Sequence, residues 1–334
     1  MKEVAALSGV SLKTVSRVVN EVPTVDPALA AKVHAAMDRL GFRPNLAASN
    51  LRRADGRTHT VGLLVEDVAN PFSAAVHRAV EDYAAQRGVL VLSSSLDEDP
   101  ERERRMVRTL VDRRVDGLII VPAGSDHRYL VAEQEAGTAV VFVDRLPTPL
   151  ISDAVVTDNR EAAAKGVKHL ISAGHRRIAF LGDTESLPTA RDRYAGYCDA
   201  VRAAAAVGCL LDPALAVQGL RTAEAADAAV SGLLSRPDPP TALFTSQNLV
   251  TIGAVQALHR TGSHHRVAVV GFDDIPLAQV LDPGVTVLAQ QASEIGKLAA
   301  ELLFGRMAGD TAPPRAHVVP CRLIPRGSGE IPAA

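Results

Sequence analysis

The sequence contains no tryptophan, and its aromatic residues amount to 3% of 334 positions. A core with so few rings must be assembled from Ala, Val, Leu and Ile, which suits helices packed on buried strands. Cysteine is also scarce. Cys198, Cys209 and Cys321 form an odd set without CxxC or Cys/His spacing, so neither a disulfide framework nor a zinc site is indicated, and they read as ordinary core or surface thiols. No apolar run nears the roughly 20 residues that span a bilayer, and no basic-then-apolar signal region opens the chain, so the expected location is the cytoplasm. A Gly-rich phosphate loop, a Gly-x-Ser-x-Gly turn and a Ser/His/Asp order are lacking, so neither catalysis nor a cofactor is indicated. His264-His265 has no further ligand at metal spacing and reads as a solvent-facing loop pair. ERERR (101–105) reads as an exposed helix face laced with ion pairs.

What is present is a folded protein's composition, 47% hydrophobic and 22% charged, over a length that implies two or three domains. The net charge of -2 hides an asymmetry. Residues 1–59 hold nine Lys/Arg and five Asp/Glu, leaving 27 against 33 for the remainder. A small basic head on an acidic body predicts that the head alone approaches a polyanion.

In the head, KEVAALS (2–8) and SLKTVSRVV (11–19) are short helical patterns separated by Gly9-Val10. Gly9 supplies the positive φ of a tight inter-helix turn and Ser11 an N-cap, the signature of a helix-turn-helix. Val15, Val18 and Val19 should pack on Val4 and Leu7, with Ala5 letting the helices approach, while Leu12, Lys13, Ser16, Arg17 and Asn20 face outward. A third helix has Asp26 as cap, Pro27 at its first position, Leu29, Val33, Met37 and Leu40 as its apolar stripe, and Gly41 at its end. Such a module puts a recognition helix into the major groove. Arg17 can donate twice to guanine, Lys13 can reach guanine or phosphate, and Leu12 can touch a thymine methyl, while Ser11, Thr14, Ser16 and Asn20 would sit on phosphates. A solvated helix face is the competing reading. FRPNLAASNLRRADGRTH (42–59) then gives about two turns of Ala-rich helix and a basic linker, too short for a helix stable alone in water.

The run VAALSGVSLKTVSRVVN, then GFRPN, a short helix and TVGLLVEDVANPF, resembles the lactose/galactose repressor (LacI/GalR) family of bacterial transcription regulators along nearly the whole chain. The resemblance implies that the linker helix pairs with its dimer mate in the minor groove, where Leu51 is wedged between base pairs beside Arg52. It also implies a Thr and an apolar residue ahead of Lys2, so the natural start is expected upstream of Met1.

From Thr60, strand-like runs (60–65, 89–93, 117–121, 139–143, 177–181, 241–245, 267–271) alternate with helical stretches such as 71–86 and 159–173. This predicts parallel sheets covered on both faces, divided into two α/β lobes near Val156. The resemblance implies a periplasmic-binding-protein-like body of doubly wound lobes around a ligand cleft, with 286–290 and 317–321 crossing between them. The expected organisation is a helix-turn-helix domain (1–43), a hinge helix and linker (44–59) and an effector-binding and dimerisation domain (60–334). Lobe 1 takes about 60–156 and 287–317, and lobe 2 about 157–286 and 318–330.

Ligands of open α/β sheets bind outside the strand carboxyl ends, where EDVANPF (66–72), Asp144-Arg145, SQN (246–248) and GFDD (271–274) fall, with Arg191 and Arg193 opening a helix. Asp, Asn, Gln and Arg with one aromatic suit a small polyhydroxylated ligand. By resemblance the effector contacts are Phe72, Arg193 and Asp273, with Arg145, Gln247 and Gln290 beside them. Helix capping by Asp273-Asp274 and a surface ion pair of Arg193 with Asp192 or Asp199 are the plainer readings.

The sequence therefore predicts a cytoplasmic, nucleoid-associated homodimer, or a tetramer, that represses transcription from a pseudo-palindromic operator under control of a small carbohydrate effector, without membrane attachment. A solute-binding protein of a transport system would share the body but would have no use for Ser11 to Arg17 or Leu51. The helices at 71–86 and 296–306 are candidates for the dimer face, with core packing as the alternative.

Overall fold

The computed structural model describes residues 1–19, 24–43 and 57–333, and the chain divides into two compact units, Met1–His59 and Thr60–Ala334.

The first unit holds α1 (Lys2–Ser8), α2 (Leu12–Val19) and α3 (Pro27–Leu40). Gly9 ends α1 at φ 68° and its neighbour Val10 donates back to Ala5 O, so the turn needs a residue without a Cβ. Thr14 N donates to Ser11 Oγ at 3.1 Å, capping α2. Asp26 accepts from Ala28 N and Leu29 N at the start of α3. The core is Val4, Val15, Val18, Val33 and Ala36. Two expectations are corrected here. Leu7 does not join the core, and the stripe of α3 runs through Val33, Ala36 and Met37, with Leu29 and Leu40 exposed. Small Ala and Val side chains let these short helices approach closely, and the leucines at the margins remain outside.

The second unit begins with β1 (Thr60–Val65), α4 (Pro71–Ala85), β2 (Leu90–Ser95), α5 (Pro100–Asp112), β3 (Gly117–Ile120), α6 (Val131–Glu135), β4 (Ala139–Asp144) and β5 (Asp153–Thr157). It continues with α7 (Asn159–Ser172), β6 (Ile178–Leu181), α8 (Pro188–Ala203), β7 (Ala216–Val217), α9 (Ala223–Leu234), β8 (Ala242–Thr245), α10 (Asn248–Arg260) and β9 (Ala268–Phe272). Last come β10 (Thr286–Ala289), α11 (Ala292–Met307), β11 (Ala316–Val319) and β12 (Arg322–Ile324).

The strands form two six-stranded sheets, ordered β11-β5-β4-β3-β1-β2 and β12-β10-β9-β8-β6-β7. All pairings are parallel except β10 with β12. Alternation along each strand divides its side chains between two cores. In the first sheet Val61, Leu63 and Ile119 meet Val76, Val80, Ile295 and Leu303 of α4 and α11, whereas Leu64, Leu118 and Ile120 meet Val107 and Leu110 of α5. In the second, Phe180, Phe244 and Val270 pack on α7 and α8, while Leu181, Leu243 and Val269 pack on α9 and α10.

The chain crosses between lobes after β5, after β10 and after β11. Cys321 N donates to Asp158 Oδ1 at 2.7 Å and Gln291 Nε2 to Pro320 O at 2.9 Å, so the three crossings are tied together. β10 pairs wholly within the second sheet and β11 within the first, so the later crossings lie at 290–291 and 320–321, beyond the expected 287 and 318. The apolar faces of α4 and α11 pack on each other and on the first sheet, with Tyr83 edge-on to Phe304 at 5.3 Å. ERERR also needs correcting. Glu103 is buried and accepts from Ala123 N, Gly124 N and Tyr129 OH, while Arg104 and Arg105 pair outside with Glu101 and Asp99.

Candidate functional site

In the first unit, α2 buries Val15 and Val18, and this fixes which side chains face outward. Leu12 is 46% exposed, and Lys13 and Arg17 are placed outside the apolar core beside it. Ser11 and Thr14 lie at the start of the helix with their hydroxyls 2.9 Å apart, and Ser16 is half-buried. One helix face thus combines two cations, an apolar tip and hydroxyls. The expected phosphate contact Asn20 and the hinge residues Leu51 and Arg52 lie outside the described residues.

In the second unit, all six expected effector residues line the cleft between the lobes. The first lobe contributes Phe72 from the start of α4 and Arg145 from the end of β4. The second contributes Arg193 on α8, Gln247 before α10, Asp273 after β9 and Gln290 after β10. They meet because parallel strands deliver the residues at their carboxyl ends to the same rim.

Neither plain reading of Arg193 and Asp273 describes their surroundings. Arg193 is buried, donates from Nε to Asn159 Oδ1 and from Nη1 to Ser246 O, both at 2.7 Å, and lies over the Phe272 ring at 3.8 Å. Asp273 is buried as well. Its Oδ1 accepts from Gln290 Nε2 at 2.7 Å, and Oδ2 stands 4.0 Å from Arg193 Nη1. Arg145 is held by a bidentate pair with Glu98, both bonds 2.6 Å, and donates to Pro122 O at 3.0 Å. Asp144 and Asp273 sit at strand ends with φ of 71° and 68°, left-handed values that Asp tolerates better than most side-chain-bearing residues.

The cavity is acidic. Glu66, Asp144, Asp183 and Asp273 line it together with Arg145 and Arg193. Burial pushes the Glu66 carboxyl up to about 7. Glu98 adds to the rise, Arg145 opposes it, and Asp144 and Asp183 raise it further. Burial also raises Asp273, with Arg193 and Gln290 pulling part of the way back. Across the cleft, Asn248 Nδ2 donates to Asn70 Oδ1 at 2.8 Å, and that oxygen also caps α4 by accepting from Phe72 N.

The chamber encloses about 50 Å³, room for a few waters. It shares Arg145 and Leu187 with a neighbouring cavity of about 710 Å³, and Phe72, Asp273 and Gln290 with another of about 500 Å³. It is therefore the narrow waist of a larger cleft.

Glu66 and Asn70 fall within EDVANPF (66–72), the stretch expected to face the ligand after β1. Asp183, two residues beyond β6, belongs to no expected segment, although the same strand-end rule reaches it.

Residues 1–45 match the family described as bacterial regulatory proteins, lacI family, and residues 167–329 match a periplasmic binding protein-like domain. The HTH-type transcriptional repressor CytR of Escherichia coli K12 is 31% identical over 98% of this chain and 95% of its own length. The ribose operon repressor of the same strain is 32% identical, covering 98% and 99%. The crystal structure of the Lac repressor dimer bound to operator and the anti-inducer ONPF superposes with a TM-score of 0.82 at 26% identity, over 98% of this chain and 97% of that one.

Proposed function

The chain belongs to the lacI family of bacterial regulatory proteins and is a DNA-binding transcriptional regulator, and from that premise we propose that a small polyhydroxylated effector held between the lobes sets its affinity for an operator. The observation that carries this reading is the convergence of Phe72, Arg145, Arg193, Gln247, Asp273 and Gln290 on one cavity. Planar amide, carboxylate and guanidinium groups bond vicinal hydroxyls, and Phe72 offers a face to a sugar ring. A relative named for a ribose operon supports the same class.

On the DNA side, Arg17, Lys13 and Leu12 read bases in the major groove, and Ser11, Thr14, Ser16 and Asn20 set the helix on phosphates. Leu51 and Arg52 act in the minor groove. Few base contacts per head favour a homodimer, or a tetramer built from it, on a pseudo-palindromic site. The reading locates the protein in the cytoplasm with DNA. Effector and operator are coupled because each binds one arrangement of the protein better than the other.

The test begins with genome-wide mapping of bound DNA, followed by anisotropy titrations on the recovered site. Operator affinity should fall steeply with salt, with a logarithmic slope of about -0.9 per phosphate contact. One or more sugars should shift the operator affinity, and Leu51→Ala should weaken operator binding while leaving sugar binding intact. Failure to retain any duplex at low ionic strength, or indifference to every polyhydroxylated compound, would defeat the reading.

A further inference from the structure

We propose that the effector carries a positively charged amine alongside its hydroxyls, and that Glu66 of one lobe and Asp183 of the other hold that amine between them. This rests on the effector reading above and narrows it to a cationic class.

The cavity keeps an excess of negative charge once the groups that already have charged partners are set aside. Arg145 is committed to Glu98 through both terminal nitrogens, and its Nε lies 3.1 Å from Asp144. Arg193 donates to the neutral acceptors Asn159 and Ser246, and the Asp273 carboxylate 4.0 Å away meets its charge. The cations in the cavity are thus tied to other groups, while neither Glu66 nor Asp183 is claimed by one of these arginines. Asp183 Oδ1 accepts from Thr184 N at 2.6 Å, a neutral donor that leaves its charge uncompensated. The two carboxylates line the same chamber from opposite lobes.

Asp273, more than nine-tenths buried on the cavity wall, is already met by Arg193 at 4.0 Å and by the Gln290 amide at 2.7 Å, so it needs no charge from the ligand. A neutral sugar would leave Glu66 and Asp183 without an ion-pair partner, and an acidic or phosphorylated one would be repelled. No group of three or more His, Cys, Asp or Glu among the described residues is arranged to hold a metal ion. An ammonium borne by the ligand fits, because it donates to carboxylates from both lobes at once and its bonds are charge-assisted.

The experiment measures direct binding of the full chain to matched probes by calorimetry. D-glucosamine, D-galactosamine, D-mannosamine and 1-deoxynojirimycin are compared with the parent hexoses and with the hexuronates. The expected result is an amine that binds about tenfold or more tightly than its neutral twin. That preference should shrink below about twofold in Glu66→Gln and in Asp183→Asn, which keep shape and remove charge. A neutral or acidic twin that binds as well as the amine overturns the proposal and leaves the polyhydroxylated effector standing. Equal loss of the amine and its neutral twin in the variants also overturns it, because the effect would then be structural. If no probe of any charge binds, both the proposal and the effector reading fail.

Discussion

Glu66 should cost the unliganded body stability at neutral and alkaline pH. Its carboxyl rises from an ordinary value of 4.5 to about 7 in the folded protein. Each tenfold change in proton affinity is equivalent to about 1.4 kcal/mol, so ionising Glu66 in the fold costs about 2–3 kcal/mol once partial exposure is allowed for. Between these values the folded state binds more protons than the unfolded one. The stabilising share of the protonated acid is therefore complete below pH 4.5 and is lost as pH rises through 7. Glu66→Gln imitates the protonated acid at every pH. The variant should match the parent protein near pH 4.5 and exceed it by about 2–3 kcal/mol at about pH 8. Urea unfolding followed by tyrosine fluorescence is a suitable assay, because the chain has no Trp and its four Tyr all lie in the second unit. Shifts at Asp273 and elsewhere are common to both proteins and cancel in the difference. A difference that stays constant from acid to alkaline pH, or a variant less stable than the parent at the alkaline end, would refute the reasoning.

Arg17→Ala should cost about 1–3 kcal/mol of operator affinity and relax preference at one position of each half-site, read by competition with singly substituted duplexes. Arg145→Met should destabilise the body by about 3–5 kcal/mol because it leaves Glu98 buried and unpaired, and adding Glu98→Leu should restore most of the loss in the same unfolding assay.

The long β-branched runs and the strand-end polar groups were plain in the sequence, because both follow from local chemistry. β5 (Asp153–Thr157) escaped notice: it opens with a charged residue that is buried only because Arg306 pairs with it from α11, far along the chain. β7 and β12 are too short to show a period. In the first unit the helical spacing of apolar residues was visible, but spacing could not show that Ala36 would be buried and Leu7 exposed. Glu103 looked like part of a charged face, and its burial depends on loop amides of Ala123 and Gly124 that only the fold brings to it. At the cleft, candidate residues could be picked one by one. The opposition of Glu66 to Asp183 could not, because they lie on different lobes.

Those opposed carboxylates give the cleft a definite response to pH. Each guanidinium is anchored within its own lobe, Arg145 to Glu98 and Arg193 to Asn159 and Ser246, so neither draws the lobes together. The Asn248–Asn70 bond spans the gap, and such a bond nets about 1 kcal/mol. Against it, closure sets Glu66 near Asp183 and Asp144 near Asp273, like charges whose mutual effect raises Glu66 and Asp273. With terms this closely matched, removing one charge should shift the balance. Protonating Glu66 as pH falls through about 7 should therefore favour the closed arrangement. The three native cysteines are buried, so cysteines introduced at Glu135 and Ala206, one exposed position on each lobe, can take a dye pair selectively. Their separation should shorten as pH is lowered from well above 7 to well below it, and Glu66→Gln should be short throughout. A separation that ignores pH, or lengthens as pH falls, would show that carboxylate repulsion does not set the lobe spacing.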